Sequence, residues 1–118
     1  MRISRYSFNS MPQMIFLGYC GENDATFIEF EMSTSLKNYP NSEVRLYVKN
    51  PINDMYVAQT NIENGILKWI LKTDDTVFYG NGMIEINILG KAGEVIKSAT
   101  ASTMIESSLS IIEEEESI

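Results

Sequence analysis

The stretch Thr26-Phe27-Ile28-Glu29-Phe30-Glu31-Met32 decides the fold, because apolar and acidic side chains alternate along it with a period of two. Successive side chains of a strand point to opposite faces of a sheet. We therefore expect Ile28, Phe30 and Met32 to face a core, as in a half-buried antiparallel strand, and the two glutamates to face water. A helix would scatter those glutamates around its surface.

The same alternation, or a short apolar run bounded by turn residues, recurs in six further segments. They span residues 13–19, 43–49, 55–59, 66–71, 83–89 and 94–106. Turn residues separate several of them: a hairpin loop is predicted at Asn50–Asp54, strand-opening turns at Asn64-Gly65 and Asn81-Gly82, and the turn of a closing hairpin at Gly90–Gly93. Trp69 is expected in the core.

Seven short strands with turn signals roughly every 8 to 12 residues predict an all-β fold, an immunoglobulin-like antiparallel β-sandwich of about seven strands. We expect residues 13–106 to form the sandwich, residues 1–12 an N-terminal arm and residues 107–118 an acidic C-terminal tail. The tail has two interpretations. Either it is a disordered acidic stretch, or it docks on a neighbouring subunit through Leu109, Ile111 and Ile112.

Composition favours one folded domain, since 44% of the 118 residues are hydrophobic and 21% are charged. The net charge is −7, and Glu106 with Glu113–Glu116 supplies five of the acids, so residues 1–105 carry 11 acids and 9 bases. An acidic chain repels phosphate backbones, which argues against nucleic acid as a partner.

Hydropathy argues against a membrane partner. No apolar run reaches the roughly 18 to 20 residues that span a bilayer, and Met1–Ser10 lacks the continuous apolar core of a signal peptide. We expect a soluble protein made in the cytoplasm.

The chemistry available to the chain is limited. It has no histidine and one cysteine, Cys20, which excludes an internal disulfide and disfavours thiol catalysis. The pair Asp74-Asp75 is more typical of a turn or helix cap than of acid–base catalysis. Oxygen ligands at Glu22–Asp24 and Glu113–Glu116 lack the spacing of a calcium loop. We therefore predict no enzyme activity, no cofactor and no metal.

An aromatic and basic patch is predicted on one sheet face. Arg45, Tyr47 and Lys49 share the presumed outer side of their strand, and Tyr56 lies on the next one. Three interpretations stay open: ordinary cross-strand pairing on a solvated face, a protein interface, or a surface that stacks sugars.

The order of these features resembles a known family. Gly21–Phe30, an Asp-containing turn that enters a strand, is similar to the opening of the N-terminal immunoglobulin-like domain of phage upper baseplate proteins. The strand Val44–Asn50, the Asn-Gly-led segment Asn64–Trp69 and the closing hairpin Gly82–Ala101 also fit, so that the resemblance covers about residues 13–109.

The resemblance implies a non-catalytic structural adaptor of a tailed phage virion, made in the host cytoplasm. It implies contacts with other virion structural proteins and a homo-oligomeric or multi-copy state. Baseplate, tail and head-accessory locations stay open. A carbohydrate-binding module using Tyr47 and Tyr56 is the alternative function.

Overall fold

The computed structural model describes residues 2–21 and 26–107, which form two β-sheets packed face to face. This part of the chain has nine strands: β1 (Arg2–Ser7), β2 (Met14–Tyr19), β3 (Thr26–Glu31), β4 (Glu43–Lys49), β5 (Met55–Val57), β6 (Thr60–Glu63), β7 (Ile66–Leu71), β8 (Gly80–Leu89) and β9 (Val95–Glu106). The predicted all-β sandwich is confirmed, although with more strands than the seven expected.

Two short helical segments interrupt the strands. Helix α1 (Ser33–Asn38) follows β3, and a 3₁₀ turn (Thr73–Thr76) follows β7. Across the two described ranges, no helix has the length and apolar character needed to cross a membrane.

The two sheets are mixed rather than purely antiparallel. The four-stranded sheet has the order β1-β3-β7-β6, and the five-stranded sheet has the order β2-β9-β8-β4-β5. Strands β1 and β3 pair in parallel, as do β2 and β9. The expectation of an antiparallel sandwich is wrong here for a topological reason. After β1 the chain crosses to the other sheet as β2 and then returns as β3, so that β1 and β3 run in the same direction.

The predicted N-terminal arm is in fact part of the sandwich. Arg2–Ser7 forms an edge strand along β3, and Phe8, directly after it, is buried in the core. This strand lacks the apolar alternation that identifies the others, because polar residues occupy its inward positions. Arg2 donates a hydrogen bond to the Leu17 carbonyl oxygen at 3.1 Å, and the ring of Tyr6 packs against that of Phe30. At the edge of a sheet, polar side chains of this kind can form hydrogen bonds at the boundary of the core.

The core lies between the sheets and contains the residues that the alternation predicted. Ile28, Phe30 and Met32 are fully buried, and Trp69 is buried among them. The other fully buried large side chains are Phe8, Ile15, Leu46, Leu67, Ile84, Ile86 and Ile88. Each buried aliphatic or aromatic side chain contributes about 1.5–3 kcal/mol, so this cluster dominates the stability of the fold.

Glu29 departs from its predicted exposure. It does lie on the outer side of the four-stranded sheet, but its side chain is only 8% exposed. In the register of that sheet Arg5 of β1 and Lys68 of β7 lie on either side of it. The prediction of a solvated glutamate is wrong because β1, the strand that the sequence pattern missed, covers one flank of β3.

Three of the four predicted turns are confirmed. Gly90–Gly93 joins β8 to β9, and the Gly93 backbone N–H donates to the Gly90 carbonyl oxygen at 3.0 Å. Asn50–Asp54 joins β4 to β5, and the Asn50 side-chain oxygen accepts hydrogen bonds from the backbone N–H groups of Ile52 and Asp54. Asn64 and Gly65 both have positive φ, 54° and 77°, as the tight β6–β7 turn requires.

The remaining predicted turn, Asn81-Gly82, is wrong, because both residues lie within β8. A Cβ on Gly82 would lie 2.4 Å from the Lys49 carbonyl oxygen and 2.9 Å from Thr103 Oγ1. This glycine therefore serves the close approach of neighbouring strands rather than a change of chain direction.

Candidate protein interface

The outer face of the five-stranded sheet carries three of the predicted interface residues. Because Leu46 and Val48 point into the core, Arg45, Tyr47 and Lys49 project together on the opposite side of β4. They lie opposite Asn87, Glu85 and Met83 of β8, respectively. The structure therefore brings together the basic and aromatic side chains that the alternation of β4 predicted.

Tyr56 does not belong to this face. It pairs with Val48 and so lies on the inner side, where it packs against the core. Its hydroxyl donates a hydrogen bond to Asp75 Oδ1 at 2.7 Å. Burial, and next the hydrogen bond to Asp75, raises the pKa of the Tyr56 hydroxyl above its ordinary value of 10.0. The prediction that places Tyr56 beside Tyr47 is wrong, because adjacent residues of a strand face opposite sides.

The three remaining predicted interface residues, Leu109, Ile111 and Ile112, lie outside the described residues.

Exposed methionines cross the same outer face in one row, which we call the methionine row. Met55 of β5, Met83 of β8 and Met14 of β2 are 73%, 46% and 45% exposed. The register connects them, because Lys49 lies between Met55 and Met83, and Ser102 between Met83 and Met14. Unbranched thioethers adapt their shape to a contacting surface, so such a row is typical of a binding surface.

A shallow groove of about 310 Å³ lies at the β5 end of this row, and we refer to it as the groove. Its lining residues are Tyr47, Val48, Lys49, Met55, Met83, Ile84, Glu85 and Asn87. Asn87 is only 7% exposed although it points outward. Its Nδ2 donates to Glu85 Oε2 at 3.2 Å, and its Oδ1 has no hydrogen-bond partner within the described part of the chain.

Charged side chains border the groove on β4. The Glu43 carboxylate accepts a hydrogen bond from Arg45 Nε at 3.0 Å. This bond, followed by one with Tyr47, raises the pKa of the Arg45 guanidinium above its ordinary value. Both partners of the ion pair are well exposed, so it positions the guanidinium and contributes little to stability.

Asp75, an ionisable residue outside this face, has a structural role. Asp75 Oδ2 accepts a hydrogen bond from the Lys72 backbone N–H at 2.8 Å, which confirms the predicted capping role for Asp75 of the acidic pair. Within residues 2–21 and 26–107 no three histidine, cysteine or acidic side chains cluster as metal ligands would. The arrangement that the structure does present is an apolar, partly charged face suited to contact with another macromolecule.

The sequence contained a signal for one member of the methionine row, Met83. Once Ile84, Ile86 and Ile88 are assigned to the core, Met83 must point outward. An outward methionine next to a predicted aromatic and basic patch indicates an exposed apolar surface.

The fold defines a class of small mixed β-sandwich domains, and comparison with solved structures gives a particular example. The chain is similar to the N-terminal domain of phage TP901-1 ORF48, with a TM-score of 0.58 and 12% sequence identity. The match covers 90% of this chain and 99% of that domain. No protein-family model matches the sequence, and no curated protein matches it.

ORF48 is a baseplate protein. The resemblance inferred from the sequence is therefore confirmed at the level of the fold.

Proposed function

We propose that this chain is a non-catalytic structural adaptor of a tailed phage virion that joins other virion proteins. Its fold is similar to that of a phage baseplate domain. The observation that carries the proposal is the combination of that fold with an outer sheet face bearing exposed methionines, Tyr47 and Lys49. The chain acts in the baseplate, in the tail or as a head accessory, after synthesis in the host cytoplasm.

The methionine row gives the proposal its physical basis. Three large apolar side chains exposed on one sheet face leave apolar surface in contact with water, which is unfavourable unless another protein covers it. Tyr47 and Arg45 beside them are of the residue types that anchor protein interfaces. Many copies in a symmetric particle would add avidity to each individual contact.

The carbohydrate-binding alternative has less support. It needs neighbouring aromatic rings on one accessible surface, whereas Tyr47 lies on the outer face and Tyr56 on the inner one.

The proposal is tested on purified particles of the phage that encodes the chain. We expect quantitative mass spectrometry to find the chain in those particles at a fixed ratio to the major structural proteins. Absence of the chain from the particles would contradict the proposal.

The interface is tested by complementation with Met83→Lys, which places a charge in the methionine row. We expect its incorporation into particles to fall at least about tenfold, as for the loss of an interface hot spot. Ile70→Lys is the matched control, because Ile70 is 40% exposed and belongs to the other sheet. Equal incorporation of the two variants would contradict the assignment of the outer face as the interface.

A further inference from the structure

A second apolar surface lies in the loop between the 3₁₀ turn and β8. Val77, Phe78 and Tyr79 are consecutive, and they are 45%, 42% and 57% exposed. Three successive exposed apolar side chains leave apolar surface in contact with water, and a contiguous apolar surface of this kind usually serves binding. We call these residues the apolar loop.

Hydrogen bonds hold the apolar loop at its start and just upstream of it. Upstream, Asp75 accepts from the Tyr56 hydroxyl and from the Lys72 backbone N–H. Within the loop, Cys20 Sγ donates to the Val77 carbonyl oxygen at 2.9 Å. Thr76, the residue before the loop, is buried. A loop restrained in this way loses little conformational entropy on binding, which favours a role as a rigid anchor.

The groove on the outer sheet face offers a largely apolar surface to such a loop. Its volume of about 310 Å³ is larger than the roughly 150 Å³ of an enclosed apolar cavity that binds benzene, so the open groove has room for a phenyl ring. Met55, Met83 and Tyr47 supply apolar surface, and Lys49 places a positive charge at its border. The exposed acids Asp74 and Glu106 lie beside the apolar loop, the first three residues before Val77 and the second next to Ile105, which pairs with Gly80. Lys49 thus carries the charge opposite to that of these two acids, while Glu85, which also lines the groove, accepts a hydrogen bond from Asn87 Nδ2 at 3.2 Å.

We infer that the apolar loop of one copy of this chain packs into the groove of a second copy, with Phe78 as the anchor. This inference rests on the proposed multi-copy assembly and names its contact surfaces. Lys49 of one copy then faces Asp74 and Glu106 of the other. The apolar contact between loop and groove is bordered by these charged side chains.

The relative position of the two surfaces indicates a two-fold arrangement. A Cβ on Gly80, directly after the apolar loop, would lie 3.3 Å from Pro51 Cβ. Pro51 belongs to the hairpin loop between Lys49 and Met55, both of which line the groove. Loop and groove are therefore neighbours at one end of the five-stranded sheet. A two-fold axis between them lets each copy supply one loop and one groove, which closes the dimer.

Disulfide trapping tests this contact in the full chain. Both partners carry Cys20→Ser, because a serine hydroxyl can still donate to the Val77 carbonyl oxygen. One copy carries Phe78→Cys and one affinity tag, and the other carries Met55→Cys and a different tag. After mixing and mild oxidation, sequential purification on the two tags isolates crosslinked pairs of unlike copies.

We expect the Phe78→Cys and Met55→Cys mixture to give several-fold more crosslinked pair than a mixture of Phe78→Cys with Ile70→Cys, which tests the exposed face of the other sheet. Sedimentation equilibrium of Phe78→Ser, with Ile70→Ser as control, gives an independent readout. We expect the dissociation constant for self-association to rise at least about tenfold in Phe78→Ser only.

Equal crosslinking in the two mixtures, or a wild-type chain that sediments as a monomer at every concentration, would overturn this inference. If the chain is present in virions but shows neither effect, the inference fails and the proposed function stands. If the trapped pair forms but the chain is absent from virions, the proposed function fails and the contact stands.

Discussion

Arg5 and Glu29 form an ion pair that connects an edge strand to the strand beside it. Arg5 Nη2 lies 2.8 Å and Nε 3.1 Å from Glu29 Oε1, while Lys68 Nζ lies 3.7 Å from Glu29 Oε2. The carboxylate is almost completely covered, whereas the guanidinium remains more than half exposed. Arg5 therefore supplies hydrogen bonds to the buried Glu29 carboxylate, while its own guanidinium stays in contact with solvent.

Removal of the Arg5 side chain should therefore destabilise the fold. We expect Arg5→Ala to lower the free energy of unfolding by about 1–2 kcal/mol, because Glu29 then keeps only the longer contact with Lys68. Urea unfolding followed by fluorescence of Trp69 measures the change.

The matched control is Arg45→Ala, which breaks the pair with Glu43, where both side chains are well exposed. We expect little change in this variant. An equal loss of stability in the two variants would contradict the structural role of the Arg5–Glu29 pair.

Gly82 should be irreplaceable within β8. An alanine Cβ at this position would overlap the Lys49 carbonyl oxygen of the neighbouring strand, so β4 and β8 would have to move apart. We expect Gly82→Ala to reduce the free energy of unfolding by about 2 kcal/mol or more, measured by thermal unfolding. Asn81→Ala, on the same strand and exposed, is the control. A Gly82→Ala variant as stable as the control would show that the two strands can separate at this position without cost.

Tyr56 should make stability depend on alkaline pH. Its pKa is raised in the folded chain, above the 10.0 of an unperturbed tyrosine. Its contribution to stability is therefore complete below about pH 10 and is lost as the pH rises through the folded pKa. Above about pH 10, the free energy of unfolding should fall more steeply for the native sequence than for Tyr56→Phe. Parallel slopes for the two chains would contradict this assignment.

Methionine oxidation should distinguish the outer face from the core. Met55, Met83 and Met14 are exposed, whereas Met32 is fully buried. Under mild peroxide treatment we expect sulfoxide to form first at Met55 and last at Met32, as measured by peptide mass spectrometry. The urea-unfolded chain is the control, since there all four should react at similar rates. Early oxidation of Met32 in the folded chain would be inconsistent with this packing.

Alternation identified the strands whose inner positions are uniformly apolar. Ile28, Phe30 and Met32 of β3 and the isoleucines of β8 reached the core as predicted. It failed for β1, where Arg2, Ser4 and Tyr6 occupy the inner positions, because an edge strand can bury polar groups against nearby carbonyl oxygens. Pairing between distant strands, such as β2 with β9, leaves no local mark in a sequence.

The same alternation predicted part of the candidate interface. Tyr47 and Lys49 share the outer face because they alternate with buried residues of their own strand. Tyr56 was misplaced because β5 has only three residues, too few for its phase to be read from alternation. The combination of Met14, Met55 and Met83 depends on the order of strands within the sheet, which local periodicity does not contain.

The pairing of β2 with β9 also constrains when the fold can form during synthesis. Met14 lies opposite Ser102, and Tyr19 opposite Glu106, so that β2 has no neighbour in its sheet until β9 has been translated. Contacts between residues so distant in sequence slow folding, because the entropy of closing a long loop is lost before they form. During synthesis β2 therefore stays unpaired and exposed to aggregation until β9 has left the ribosome.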